Sequence, residues 1–372
     1  MLHVDIPTHA QMERLLRARR PGSVSIYVPT TPVSSEVGAS RIELKNAIEE
    51  ALGQLRDADF DKRELAALEE QLADVLDDED WRFAAQTLAV FATSERTVTF
   101  RLGSKIARTV EVSDRFHVKP LFRVAAFPQA ALVLALAAGS VRLVEVEADL
   151  PAETVRVEGL PKDAASHAGK ASISDRSPSG RIQGSEGQKV LLTQYARAIA
   201  RAIAPIVDAA GVPLILAAAE PLASIYRSVD ASEHLAPKGI EGNAEARSDS
   251  DLATLSREVL DAVYADQLAE LIDLFETRRA SGRGSTDVSD VARAATLGAV
   301  DTVLVDMDQT LPGFVDEETG AITLGAADDA HDYGVLDEIA RRTFLNGGRV
   351  VAVRRSDIPD GAALAAILRY AV

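Results

Sequence analysis

Gly184-Ser185-Glu186-Gly187-Gln188-Lys189 closes a polar run of small residues and opens directly into a long amphipathic helix. From about Ala164 to Lys189 the chain offers no apolar run worth burying, only the lone Ile173 and Ile182. Such a segment cannot offset its ordering entropy by packing, so a mobile surface loop is expected. Long loops inside compact chains are uncommon and usually functional or disordered. Beyond Lys189 the pattern changes. Leu191, Tyr195, Ala198, Ile199, Ala202, Ile203 and Ile206 recur at helical spacing and predict one buried face. Gln194, Arg197 and Arg201 form a polar, cationic ridge on another. A flexible arm ending in Gly-Gln, mounted on this helix, is the least ordinary feature of the chain.

With 372 residues the chain exceeds a typical single core, and two or three domains are expected. It has no cysteine, which excludes disulfides, thiolate catalysis and cysteine-ligated metals. The first residues show no basic segment leading into an apolar core, so no secretory signal is read. The longest apolar run, Val124 to Gly139, is broken by Pro128-Gln129 and is too short to span a bilayer. The reading is a cytoplasmic protein with no membrane partner. A net charge of −17 disfavours non-specific binding of polyanions, DNA included. Val141 to Ile206 departs from this balance, with nine Lys and Arg against eight Asp and Glu. That stretch is near neutral, not a basic patch.

Along the chain, a helix is expected over Ala10 to Arg20, stopped by Pro21-Gly22, and a strand over Val24 to Val28. Two helices follow, one lined by Leu44, Ile48, Ala51, Leu52 and Leu55, the other by Leu65, Leu68, Leu72 and Val75. Strands are then predicted over Thr87 to Ala92, Thr97 to Leu102 and Phe116 to Phe122. Leu132 to Leu136 and Val141 to Val146 read as a hairpin turning at Ala137-Ala138-Gly139-Ser140. After the arm and its helix, Gly211-Val212-Pro213 is a stop and Leu214 to Ala218 a buried strand. Ser232 to Asp251 is small and polar and reads as a loop or linker. The remainder predicts helix Leu252 to Arg279, helix Val288 to Leu297, strand Thr302 to Val305, helix Val335 to Phe344, strand Arg349 to Val353 and an apolar close, Ala363 to Tyr370. Helices alternating with strands make the fold class α/β in every part.

Two other constellations could carry chemistry. Asp306-Met307-Asp308-Gln309-Thr310-Leu311 follows an apolar strand and matches the first motif of haloacid-dehalogenase-type phosphatases. There the first Asp attacks phosphorus, the second is general acid/base, and the chemistry is metal-assisted. That fold needs a later lysine and acidic pair, yet no lysine follows Asp306 and only about sixty residues remain. The six histidines, at 3, 9, 117, 167, 234 and 331, have no ligand-like spacing, so no metal site is predicted. No cofactor-binding motif is present either.

Several stretches, in order, resemble the archaeal and eukaryotic class-1 release factors and Pelota, and the chain is similar to a bacterial member of that superfamily. Val24-Ser25-Ile26-Tyr27-Val28-Pro29 with the helix Arg41 to Leu55 resembles the opening of the release factor's N-terminal domain. Leu88 to Ala92 and Asp114-Arg115-Phe116-His117-Val118-Lys119-Pro120-Leu121 resemble its end. Gly184 to Lys189 stands in the place of the family's Gly-Gly-Gln loop. Leu297 to Val305 and Ala365-Ala366-Ile367-Leu368-Arg369-Tyr370 resemble C-terminal-domain segments.

The resemblance implies three domains: 1–127, an N-terminal α/β decoding domain; 128–250, an RNase H-like central domain carrying the loop; and 251–372, a domain like kink-turn-binding ribosomal proteins. It implies ribosome partners, rRNA and peptidyl-tRNA, with a translational GTPase as a further candidate. Its catalytic residues would be Gly187 and Gln188, the glutamine placing water against the peptidyl ester and its backbone N–H stabilising the oxyanion. RNA contacts would come from Arg181, Gly184, Ser185, Glu186, Lys189, Arg197 and Arg201. Two departures separate this chain from the pattern. Glu186 replaces the first glycine of the pair, adding a Cβ and a negative charge. Ser34 to Arg41 holds no copy of the stop-codon-reading signature. The expected roles are therefore ribosome rescue or A-site occupancy ahead of codon-specific termination, with a non-catalytic hibernation factor and an Asp306/Asp308 phosphatase as alternatives.

Overall fold

The computed structural model describes residues 5, 7–31, 37–77, 85–127, 129–147, 150–169, 185–309, 311–325 and 334–371, without the side chains of 185 and 186. The fold is mixed α/β, and the chain divides into two compact units. One holds Gln129–Asp266; the other joins the described residues before it to those from Gln267 onward.

The first part of the larger unit runs α1 (His9–Arg17), β1 (Ser23–Pro29), α2 (Val37–Asp57), α3 (Lys62–Asp77), β2 (Thr87–Ala92), β3 (Thr97–Leu102), β4 (Thr109–Ser113) and α4 (Lys119–Ala126). Its sheet has the order β3-β2-β1-β4, antiparallel throughout, with Val24 opposite both Ala92 and Val112. Helix α1 begins where Thr8 and Gln11 exchange the two bonds of a capping box. The expected strand over Phe116 to Phe122 does not form: 116–118 have no regular structure, and Lys119 to Phe122 are the start of α4. Pro120 sits in the first turn, where its missing N–H costs nothing, and Leu121, Phe122 and Val124 then pack at helical spacing. Strand β4, with Val110 and Val112 alternating, lies outside the predicted set.

The central unit contains β5 (Ala130–Leu136), β6 (Val141–Glu147), β7 (Glu153–Val155), α5 (Ala164–His167), α6 (Ser185–Ala210), β8 (Leu214–Ala218), α7 (Leu222–Val229) and β9 (Ile240–Glu241). The sheet order is β7-β6-β5-β8-β9: β5 pairs antiparallel with β6, as the hairpin predicts, and parallel with β8. Every residue of β5 is buried, the pattern of a strand covered on both faces. Leu132, Leu134 and Leu136 face α6 and α7, through Tyr195, Ile199, Ile203 and Tyr226. Ala131, Val133 and Ala135 face the first turns of α8 (Asp249–Ala280), through Leu252, Val259 and Leu260. The predicted linker 232–251 thus contains β9 and ends on α8.

The last part of the larger unit has β10 (Gly284–Ser285), α9 (Val288–Thr296), β11 (Val300–Asp306), β12 (Gly313–Val315), β13 (Ile322–Leu324), α10 (Val335–Leu345), β14 (Arg349–Val353) and β15 (Leu364–Leu368). Its sheet order is β10-β15-β11-β14, with β11 and β14 parallel. One apolar core runs through this unit from Met12, Tyr27 and Phe91 to Val303, Leu336 and Ile339. The N-terminal and C-terminal stretches therefore share side-chain packing within a single unit.

Candidate functional site

The predicted arm divides at Ser185. Arg181 and Gly184 lie outside the described residues, while Ser185 to Lys189 form the opening turns of α6 and not the end of a loop. The near end of the arm is ordered too: Asp163 caps the short helix α5, its carboxylate accepting from Ser166 N at 2.7 Å and Ser166 Oγ at 2.7 Å. The Ser166 backbone bond, then its hydroxyl, holds the Asp163 carboxyl below the usual range. The amphipathic reading of 191–206 selects the right helix with its face offset. Leu192, Tyr195, Ala196, Ile199, Ile203 and Val207 are buried, whereas Leu191, Ala198, Ala202 and Ile206 are half-buried. Apolar residues on almost every side of this helix blur the stripe, and tertiary contact decides it. Gly187 to Ala210 is long and apolar enough to cross a membrane by length and composition, but its buried face packs on the sheet.

Tyr195 anchors the helix. Its hydroxyl donates to the carbonyl of Ala137 in the β5–β6 turn, at 3.2 Å, and Ala164 N donates to Ala138 O at 3.0 Å. Burial, then the charges of Asp163 and Glu245, push the Tyr195 phenol well above its ordinary pKa. The start of α6 is thus held by a rigid sheet. In its first turns Gly187 is buried while Gln188, Lys189 and Val190 are exposed. The first N–H groups of any α-helix lack intrahelical partners and carry its positive dipole end, a setting for carbonyl oxygen or phosphate.

Lys189, Arg197 and Arg201 are all exposed, and no ion pair among the described residues engages them. Arg197 and Arg201 line an open groove of about 600 Å³. The same groove is lined by Asp208, Asp230 and Glu233 and by the apolar Ala200, Ala204 and Val229. Both signs face this groove, so it is no simple track for a phosphate chain. Lys189, outside it, is the cation nearest Gln188 in the helix.

Asp306 and Asp308 have a structural role in this geometry. Asp306 is buried at the end of β11, and its Oδ1 accepts the backbone N–H of Asp308 at 3.0 Å. The carboxylate is thereby occupied in turning the chain. Among the described residues no group of three or more His, Asp or Glu could hold a metal.

A polar network in the larger unit went unread in the sequence. The stretch Arg115-Phe116-His117-Val118-Lys119 turns its charged residues toward the first turn of α10. Arg115 pairs with Glu338, Lys119 Nζ lies 3.6 Å from Asp337 and donates to Gln309 O at 2.7 Å, and His117 Nδ1 is 3.8 Å from Asp337. Glu338 also accepts from Arg341 at 2.8 Å and Arg342 at 2.7 Å. Burial is the largest influence on its carboxyl and pushes it up. The bonds and charges of Arg341, Arg115 and Arg342 outweigh this and hold it below the usual glutamate range. Basic residues two apart in an apolar stretch were the available signal.

Residues 128–266, which span the central unit, match the family described as bacterial archaeo-eukaryotic release factor family 11, and this part of the chain is similar to that family. No curated protein sequence matches it. Among solved structures it is similar to an archaeal translation termination factor, aRF1, at 16% identity over 98% of each chain with a TM-score of 0.25. It is similar to Archaeoglobus fulgidus Pelota at 13% identity, covering 99% of this chain and 94% of that one, with a TM-score of 0.35. A model of ribosome-bound archaeal Pelota and ABCE1 gives 15% identity, 99% and 96% coverage and a TM-score of 0.42.

Proposed function

We propose that this protein is a ribosome-associated translation factor that enters the A site and presents the start of α6 toward peptidyl-tRNA. One observation carries the reading: the family match falls on the central unit, at whose helix α6 an exposed Gln188 follows a buried Gly187. In this reading Gln188 places water against the peptidyl ester, Lys189 meets rRNA phosphate, and the larger unit holds the ribosome elsewhere. The three-domain division into N-terminal, RNase H-like and kink-turn-binding-like parts, a cytoplasmic location and a translational GTPase partner belong to the same proposal.

A second reading, occupancy without hydrolysis, is favoured by a separate observation. Gly187 and Gln188 are in regular helix, and Glu186 replaces the glycine that would free the backbone for close approach. Ribosomes holding labelled peptidyl-tRNA distinguish the two. Release by the protein that is lost in Gln188→Ala supports hydrolysis. Binding with no release above background supports occupancy, and failure of both sinks the proposal.

A further inference from the structure

The larger unit contains a cavity of about 410 Å³ between the start of α1, the end of α4 and the turn from α10 into β14. That volume lies within the range of small-molecule sites, about 300–1,000 Å³. Its apolar floor includes the buried Met12 and Phe122. At one side the exposed ring of His9 lies nearly flat on Phe344, with centroids 4.3 Å apart and planes 22° apart. Phe122 meets Phe344 edge-on at 5.5 Å, which fixes the pair from below. The imidazole is therefore a flat π surface among the residues that line the cavity.

Two glycines also line the cavity. Gly347 has a positive φ of +73°, and a Cβ on Gly348 would stand 2.7 Å from Thr343 Cγ2 and 2.8 Å from the Val300 carbonyl, so both positions favour glycine. Arg349 follows at once, exposed, lining the cavity, and with no ion pair among the described residues. Arg349 thus brings a positive charge to a cavity lined by aromatic rings.

We propose that this cavity binds a nucleotide unit, its base stacked on the His9–Phe344 pair and its phosphate on Arg349. Stacking on an aromatic side chain suits any base, because every base has a π face. A guanidinium matches phosphate oxygens bidentately. An apolar ligand would leave Arg349 unused, and a bare anion would leave the stacked rings unused. The same chemistry is offered by a free mononucleotide and by one unstacked nucleotide of an RNA. The inference stands apart from the reading of α6, since it concerns the other unit and does not require the ribosome.

The probe is 2-aminopurine riboside 5′-monophosphate, whose fluorescence falls on stacking, with two companions: the riboside lacking phosphate, and a short single-stranded RNA carrying one 2-aminopurine. Saturable quenching of the monophosphate is expected. His9→Ala should weaken it about tenfold by removing the stacking surface. Arg349→Glu should weaken the monophosphate about tenfold and leave the riboside unchanged. Both residues are exposed, so the variants should keep the fold, which far-UV circular dichroism verifies. Tighter binding of the RNA probe identifies an RNA nucleotide as the ligand; equal or tighter binding of the monophosphate identifies the free one. No saturable quenching by any probe at millimolar concentration, or quenching unaltered in both variants, overturns the proposal.

Discussion

The central unit fills its sheet from both faces with apolar side chains, and among its described residues no charged group is fully buried. The larger unit buries Lys119, Asp337, Glu338 and Arg342 beside a core just as apolar. One unit is held by shape and area, and the other adds charge pairing that works only when each partner is present. The difference teaches where each is vulnerable. A lost methyl group costs the central unit contact area in proportion, whereas one lost carboxylate in the larger unit strands up to three arginines at once.

The largest expected effect is therefore in the larger unit. Glu338→Ala should destabilise it by about 3–5 kcal/mol, the cost of leaving buried charges unpaired. Hydrogen exchange read segment by segment should show protection lost over α9, α10 and β11 while β5 and α6 keep theirs. Equal loss in both units would erase the contrast. Ile199→Ala, wholly apolar and fully buried in the central unit, should cost about 3 kcal/mol in urea unfolding, with the protection changes reversed.

The pH responses should also part. The Glu338 carboxyl is held below its unfolded value of about 4.3. Its contribution is complete above that value and is lost as pH falls through the folded value, so the larger unit should weaken in acid and Glu338→Gln should flatten that limb. Burial raises the phenols of Tyr195, Tyr226 and Tyr264 in the central unit. Their contribution is complete below the unfolded value, about 10, and falls as pH rises beyond it. Tyr195→Phe should lessen that alkaline loss, measured as the urea midpoint against pH. The smallest effect is expected at the exposed pair Lys238–Asp266, where the ions are 3.9 Å apart: Lys238→Ala should change stability by less than about 0.5 kcal/mol.

The same contrast explains what could be read from the chain alone. Short continuous apolar runs such as Leu132–Leu136 and Leu214–Ala218 announce their strands, because a strand covered on both faces demands an apolar residue at every position. The face of α6 was offset because Leu191 and Leu192 are equally apolar and only the sheet distinguishes them. Strand β4 has two apolar positions and little else to mark it. The burial of Lys119 is not legible locally, since its partners, Gln309 and Asp337, are about two hundred residues away in sequence. At the site, Gly187 and Gln188 were legible as a pair, but their place inside a helix was not, because a glycine and small polar neighbours argue locally for a loop.

The central claim is that the protein binds ribosomes through their A site. Co-sedimentation through a sucrose cushion, with vacant-A-site ribosomes and with ribosomes whose A site is filled by tRNA, tests it most directly. The account predicts stoichiometric binding to the vacant particles, weakened in Lys189→Glu, and displacement where tRNA is already bound. Equal recovery from both kinds of ribosome, or none from either across low and physiological salt, would contradict it.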